Sequence, residues 1–475
     1  MKREHIAQEV RDVCATLEEA GHEAWVVGGC VRDLLMGTRP KDWDLATSAA
    51  PEMVQRLFRR TVPTGLKHGT VTVLARSSRR RDEPDGPLAV EVTTFRGEGS
   101  YSDGRRPDSV AFVKTIQEDL ARRDFTMNAV AFRPAQQRLV DPFGGQEDLA
   151  RRRIRAVGAA IERFREDGLR PVRAVRFAAT LEFEVEPSTL SAIGETLDVA
   201  RRVSAERLRD ELLKLLAARR PSIALRLMQQ TGLLDVLLPE LVEGVGLTQN
   251  RSHAHDVFEH SLACVDAAPN EPVVRLGALL HDVAKPRCAA PKEGSPSEHT
   301  FYRHDAVGAE LSDRILRRLR LSNQERERVV GLVGHHMFWY EPAWTDATVR
   351  RFLRRVGPDN VADLFALRAA DIVARGRGED PEVELAELRR RIDGIVAASQ
   401  ALSVGDLAIN GADVMRALGC RPGPMVGQVL QALLERVLEE PELNERERLL
   451  ALVPTTAEQL PSRGAPPRGA GGPPP

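Results

Sequence analysis

Residues 26–35 read VVGGCVRDLL and residues 37–47 read GTRPKDWDLAT, a stretch that sets Asp42 and Asp44 two positions apart. In a strand, positions i and i+2 share a face, so both carboxylates point one way while Trp43 packs on the other. On a helix they would diverge by about 200°. Pro40 disfavours helix at Arg39, which favours the strand. Two close carboxylates suit a pair of divalent ions about 4 Å apart, one activating an attacking hydroxyl and the other steadying a leaving pyrophosphate. Gly28 and Gly29 carry no Cβ, so backbone N–H groups there can approach a triphosphate, and Arg32 can add charge-assisted hydrogen bonds. Asp-x-Asp alone is common on exposed loops, and Gly-Gly is usually only a turn. Together, in this order, they point to phosphoryl transfer.

The segment resembles the signature of the nucleotidyltransferase superfamily related to DNA polymerase beta, and within it the bacterial tRNA nucleotidyltransferase and poly(A) polymerase family. The run RRDFTMNA at 122–129 is similar to that family's second motif, which implies that Arg123 and Asp124 read the ribose of the incoming nucleotide. Their chemistry fits: Arg123 donates in a fork, Asp124 accepts from a 2′-hydroxyl, and Asn128 does both. Without the family, Asp124 reads as a helix-start ion pair. Residues 100–107 (SYSDGRRP) read as a loop, which the resemblance links to the switch from C to A addition. Residues 140–145 (VDPFGG) form a turn resembling the family's hinge, followed by a long arginine-rich helical region.

Within that region, residues 164–177 (FREDGLRPVRAVRF) carry Glu166, Asp167 and Arg170, with Arg173 and Arg176 continuing at a three-residue step along the same helical side. The resemblance implies a protein template in which Glu166, Asp167 and Arg170 read the Watson–Crick edge of CTP or ATP. Asp167 can accept from the exocyclic amine that C and A both carry, and Arg170 can donate to a ring nitrogen or oxygen. The plain alternative is an i,i+4 ion pair between Glu166 and Arg170 on one helix. Gly168 stands where poly(A) polymerases of the family typically have proline, which tilts the reading toward CCA addition.

The 475 residues suggest three or four domains at about 100–200 residues each. Only 4% are aromatic and Arg, Ala and Leu dominate, so most of the chain should be helical. A net charge of −1 restricts any nucleic-acid surface to local patches, with Arg79 to Arg81, Arg151 to Arg153, Arg350, Arg351, Arg354 and Arg355 as candidates. Such runs are usually solvated faces. Cys14, Cys30, Cys264, Cys288 and Cys420 are scattered, which fits reduced thiols and a cytoplasmic setting. Neither a membrane span nor a secretory signal is indicated.

Along the first 150 residues the patterning predicts a helix over 5–20, a strand over 24–27, a proline-opened helix over 51–60, and strands over 70–75 and 88–95. Residues 79–87 read as a charged hairpin loop. Val90 and Val92 face one way and Glu91 the other, so Glu91 is either a third carboxylate beside the aspartate pair or a surface residue.

A second constellation begins near residue 250. His260 lies in a helical pattern, His281 and Asp282 close an apolar helix that Pro286 is expected to terminate, and His304 follows. His335 and His336 end another helix, and Asp371 comes later. A single histidine on a helix is more often a core or surface residue than a ligand. This order resembles the HD phosphohydrolase superfamily, implying a transition-metal site of His260, His281, Asp282 and Asp371, with His304 and His336 for a second ion. His253, His255 and His299 read as bystanders. Toward the C-terminus, Pro424 suits the first turn of a helix over 428–438 whose free N–H groups could hold an RNA phosphate. Residues 454–475 are too rich in Pro, Gly and Ala for a core and are expected to be disordered.

The resemblance therefore implies an α+β protein: a polymerase beta-like α/β head (1–150), an all-helical neck (151–240), an HD domain (241–380), a helical tRNA-binding tail (381–455) and a disordered end (456–475). It implies addition of CCA to tRNA from CTP and ATP, with Mg²⁺ on Asp42 and Asp44 and Ni²⁺ or Mn²⁺ in the HD domain. A poly(A) polymerase, an enzyme adding only the terminal A, and an HD-type phosphohydrolase acting on RNA ends remain as rivals.

Overall fold

The computed structural model describes residues 2–66, 69–75, 86–97, 111–249, 255–292, 295–398 and 401–460. Its head is a seven-stranded sheet in the order β3-β4-β5-β2-β1-β6-β7. The strands are β1 Ala24–Val27, β2 Trp43–Thr47, β3 Thr61–Gly65, β4 Thr70–Ala75, β5 Leu88–Thr94, β6 Ala131–Arg133 and β7 Arg138–Val140. β2 and β5 run parallel, with Asp44 opposite Glu91, while the other pairings are antiparallel.

Period-two alternation places the site. Ala24, Val26, Trp43, Leu45, Val90 and Val92 bury on one face, together with Val10, Val13 and Leu17 of the helix Gln8–Glu19. Trp25, Val27 and Ala46 turn to the other face with Phe95, Ile116 and Leu120. Asp44 lies between Trp43 and Leu45, so it joins this second face.

Past the head the described residues are helical, apart from two short strand pairs, Arg153–Ile154 with Glu184–Val185 and Ala290–Lys292 with Ser295–Thr300. One apolar core runs from Phe125 of the head and Phe164 of the neck through Leu262, Leu279 and Val333 to Leu388, so neck and following helices share a continuous interior. A separate core, from Ala401 to Val453, holds the tail.

Several expectations change. The long helix over 164–177 is two helices, Ala160–Glu166 and Leu169–Leu181, because Asp167 adopts extended backbone (φ −143°, ψ 106°) and Gly168 caps the second. A Cβ at Gly168 would lie 2.4 Å from the Val199 carbonyl oxygen, so packing excludes any side chain there. Pro286 ends no helix: Pro272–Leu280 stops earlier, and Pro286 lies in the first turn of Lys285–Cys288, where its missing N–H is harmless. The expected disorder from 454 is corrected as well. The helix Arg446–Gln459 continues through Pro454, with Thr456 4% exposed and Ala457 and Leu460 on the tail core. Apolar contact there outweighs one lost helical hydrogen bond. Residues 461–475, the loop over 100–107, Arg79 to Arg81 and His253 lie outside the described residues.

The arginines near 350 staple helices together. Buried Arg350 donates through Nε to the Leu438 carbonyl at 2.7 Å and through Nη2 to that of Glu439 at 3.1 Å, closing the end of the helix Pro424–Glu439. Arg354 reaches Glu435 at 2.5 Å, and Arg351 pairs with Glu435 and Glu439.

Candidate active site and a second metal-ligand cluster

A cleft of about 380 Å³ opens on the second face of the sheet and is closed by the neck. Asp44, Glu91, Arg123, Asp124, Asp167, Arg170 and Arg173 all line it. Asp42, exposed on the bend before β2, lies close enough for its charge to act on Asp44. Burial pushes the Asp44 carboxyl up to about 6, the negative charges of Glu91 and Asp42 add to this, and Arg123 opposes it. Three acids around one half-buried position make a site that a divalent cation would relieve, so the donor set fits metal.

Gly28 has φ +75°, and a Cβ there would stand 2.8 Å from Arg123 Nη1 and 3.5 Å from Asp44 Oδ2. Only glycine lets the start of the helix Gly29–Leu35 approach this pocket. Arg32 donates to Asn128 Oδ1 at 3.1 Å and pairs with Asp33 at 2.6 Å. Asn128 in turn donates to Asp124 Oδ1 at 3.0 Å, and Arg173 binds Asp124 Oδ2 at 2.7 Å. Burial works to raise the Asp124 carboxyl, yet the Arg173 charge and these hydrogen bonds bring it down to about 2. It therefore stays an acceptor at any working pH.

The base-reading candidates divide. Asp167 lines the cleft, accepts from its neighbour Leu169 N–H at 3.0 Å, and is held by Arg207 at 2.7 Å. Arg170 is buried: Nη1 donates to Glu166 at 2.6 Å and to the Arg163 carbonyl at 2.7 Å, and Nη2 donates to the Arg122 carbonyl at 2.8 Å. Glu166 also takes Arg163 at 2.8 Å, so the ion-pair alternative for Glu166 and Arg170 is realised, although across a helix break. Arg176 binds Glu211 at 2.5 Å and lies 3.9 Å above the Phe177 ring, whose surroundings also include Arg32 and Arg173. Phe177 thereby ties the head to the neck through stacked guanidinium groups.

Sequence reasoning missed Arg207, whose helix Ala205–Leu216 gave only an amphipathic signal. It also missed Asp119, 1% exposed, which holds Arg122 at 2.9 Å and Arg123 at 3.2 Å. A capping box at Thr115 and Glu118 marks that helix start, but nothing marks Asp119 as buried.

The second constellation also assembles, from five helices or their ends. The ligand atoms of His260, His281 and Asp371 lie within 4.8 Å of one another, as do those of Asp282, His304 and His336. All six side chains are buried. Asp282 Oδ2 lies 3.1 Å from His281 Nε2 and 3.6 Å from His260 Nε2, while its Oδ1 lies 3.4 Å from His304 Nε2 and 3.7 Å from His336 Nε2. Asp282 thus faces both groups. Nδ1 of His281, His304 and His336 each contacts a backbone carbonyl at 2.7–2.8 Å, fixing Nε2 as the inward atom. His304 and His336 Nε2 stand 3.2 Å apart. Burial pushes His336 down to about 3, so its ring is neutral, and two inward nitrogens at this distance need a shared cation or proton between them. The donor set fits a transition metal. A cavity of about 360 Å³ opens over it, lined also by Lys285, Lys292 and His299, although His299 belongs to neither ligand group.

Residues 24–155 match the family model "Poly A polymerase head domain", residues 182–244 "Probable RNA and SrmB- binding site of polymerase A", and residues 304–453 "tRNA nucleotidyltransferase domain 2 putative". A CCA-adding enzyme of Geobacillus kaustophilus is 37% identical, covering 92% of this chain and 93% of its own. An A-adding tRNA nucleotidyltransferase of Deinococcus radiodurans is 36% identical, covering 92% and 96%. The crystal structure of the Bacillus stearothermophilus CCA-adding enzyme in complex with CTP superposes with a TM-score of 0.71 at 32% identity, over 95% of this chain and 97% of that one. The chain belongs to the tRNA nucleotidyltransferase family that includes the CCA-adding enzymes, and it is an enzyme of that type.

Proposed function

We propose that this protein completes tRNA 3′ ends by adding C, C and A from CTP and ATP. The observation that carries the reading is the single cleft in which Asp44, Asp124 and Asp167 meet, with Asp124 held by Arg173, Asp167 held by Arg207 and Asp44 within reach of the Arg123 charge. Members of the family are metal-dependent, and here Asp42 and Asp44, with Glu91 beside them, would hold Mg²⁺. When bound, the ions supply activation of the tRNA 3′-hydroxyl and charge neutralisation on the departing pyrophosphate. The chain's own residues do the rest. Gly28 and Gly29 admit the triphosphate to backbone N–H groups, with Arg32 beside them. Arg123 and Asp124 take the ribose, with Asn128 and Arg173 orienting Asp124. Asp167 accepts from the exocyclic amine of C or A, Arg207 fixes its direction, and Arg170, braced by Glu166, supports the same wall, with Arg176 behind it. The division of labour is head (1–150), neck (151–240), a second metal-binding region (241–380) and a tail for the tRNA body (381–455).

Two rivals use the same head. Restriction to the final A is raised by the Deinococcus radiodurans relative, and poly(A) synthesis is disfavoured by Gly168, which stands where poly(A) polymerases of the family typically have proline. Incubating purified protein with tRNA lacking its last three nucleotides, and with tRNA lacking only the last, separates them. Extension of both substrates supports the proposal, extension of the second alone makes it an A-adding enzyme, and long A tracts without CTP use make it a poly(A) polymerase.

For the second cluster we propose a metal-dependent phosphohydrolase centre, with His260, His281, Asp282 and Asp371 holding Ni²⁺ or Mn²⁺ and His304 and His336 completing a site for a second ion. Lys285 donates to Asp282 at 2.7 Å and to Gln249 at 2.6 Å, which keeps a positive charge at the cavity floor.

A further inference from the structure

Asp124 is held by one arm from the head and one from the neck. Asn128 donates to its Oδ1 at 3.0 Å and Arg173 donates through Nε to its Oδ2 at 2.8 Å, so each carboxylate oxygen is fixed from a different side of the cleft's closure. The head arm continues from Asn128 to Arg32, which donates to Asn128 Oδ1 at 3.1 Å. Both arms end on one ring. The Phe177 centroid lies 5.3 Å from the Arg32 guanidinium and 5.4 Å from that of Arg173. Asp124, Asn128, Arg32, Phe177 and Arg173 thus close a loop that crosses from head to neck and back.

Phe177 stands outside the lining of the cleft, whereas Asp124 and Arg173 both line it. The ring is 5% exposed and meets Phe125 edge to face, with centroids 5.7 Å apart and planes at 86°. The Phe125 N–H in turn donates to Asp124 Oδ1 at 2.8 Å, so the backbone that carries Asp124 also rests on this ring. Arg176 lies 3.9 Å from the same centroid and is held by Glu211. Guanidinium groups gathered this closely repel one another, and the negative face of an aromatic ring eases that repulsion without competing for their N–H donors. An aliphatic side chain of similar volume would fill the same space and offer no such charge. Arg32 and Arg173 would then take other directions, and Asp124 would lose both contacts that aim it.

A sugar reader depends on that aim. A site built to bond one hydroxyl rejects the analogue lacking it only while the bond is well made in distance and angle. We propose that Phe177 is a positioning residue for sugar selection: through Arg32 and Arg173 it sets the direction of Asp124, and with it the preference for ribonucleotides over 2′-deoxyribonucleotides, without touching the nucleotide. The inference rests on the reading of Asp124 as the acceptor of the ribose 2′-hydroxyl.

The test adds one nucleotide to tRNA lacking only its last residue, a substrate that serves CCA-adding and A-adding activity alike. ATP and 2′-deoxy-ATP compete, and the periodate sensitivity of the extended 3′ ends counts the two products. The resulting ratio of kcat/KM values does not depend on how much of a variant is folded. Phe177→Leu should lower the preference for ATP about tenfold, while Phe177→Tyr, which keeps the ring face, should stay within about threefold of wild type. The preference for ATP over GTP should hold in both, since Asp167 is fixed separately by Arg207. In an Asp124→Ala background, Phe177→Leu should change the sugar ratio no further, because it acts through Asp124. An unchanged ratio in Phe177→Leu, with Asp124→Ala lowering it, would overturn the proposal and leave the ribose reading standing. An equal fall in the Leu and Tyr variants would overturn it as well, as would equal loss of sugar and base preference, the mark of a neck loosened throughout. If Asp124→Ala itself keeps the wild-type ratio, the ribose reading falls, and the positioning role falls with it.

Discussion

Asp44 is where strand periodicity, burial and charge meet. The Asp-x-Asp spacing was legible because a strand has a period of two, but Asp42 turned out to precede β2, so only Asp44 is held rigidly by the sheet. Asp42→Ala or Asp44→Ala should each abolish nucleotide incorporation while tRNA binding, measured by filter retention, persists. Near wild-type incorporation in either variant would sink the two-ion assignment. The raised Asp44 carboxyl adds a pH signature. The folded, metal-free chain keeps that proton up to about pH 6, whereas an unfolded aspartate releases it near about 3.9. Stability linked to this proton is therefore present at low pH and lost as pH rises across that interval. Metal requires the carboxylate, so the Mg²⁺ concentration for half-maximal incorporation should rise about tenfold per unit as pH falls below about 6. A Mg²⁺ requirement that stays flat from about pH 5 to 7.5 would count against it.

At the scale of elements, the break between Ala160–Glu166 and Leu169–Leu181 directs Asp167 into the cleft, which a continuous helix would not do. Arg170 carries three internal hydrogen bonds, so Arg170→Ala would strip donors from the Arg122 and Arg163 carbonyls and confuse specificity with stability. Asp167→Asn and Arg207→Ala are cleaner. Both should relax discrimination against UTP and GTP by about tenfold or more, since a fixed polar group matched to one hydrogen-bonding edge carries that selectivity. Competition assays with all four nucleotides measure it, and unchanged selectivity in both would leave Asp167 as an ordinary helix-end ion pair.

At the scale of the whole molecule, the two clusters line separate cavities with no residue in common, and the second is built largely from nitrogen donors that Mg²⁺ does not favour. Replacing His281 and Asp282 together by alanine should remove metal-dependent hydrolysis of 2′,3′-cyclic nucleotides or phosphomonoesters and spare nucleotide addition. Because neck and second region share one core, circular dichroism must accompany the assay. Lost addition with the fold intact would mean that the two sites are coupled.

Motif order in the sequence determined the head, four of its seven described strands (β1, β2, β4 and β5) and both groups of ligand-bearing residues, because chemistry that depends on residue type at short spacing is written locally. The strand at 24–27, the aspartate face of β2 and the histidines on successive helices all follow from periods of 2 and 3.6. Tertiary structure alone decided which charges are spoken for. Glu166, Arg176 and Arg350 read as candidate binding groups, yet each is taken by a partner 3 to 89 residues away. The reverse holds for Arg207 and Asp119, which are ordinary in sequence and acquire meaning from what folding sets beside them. A side chain's partner is fixed by the packing of distant segments, so ion pairing and exposure could not be read from local pattern.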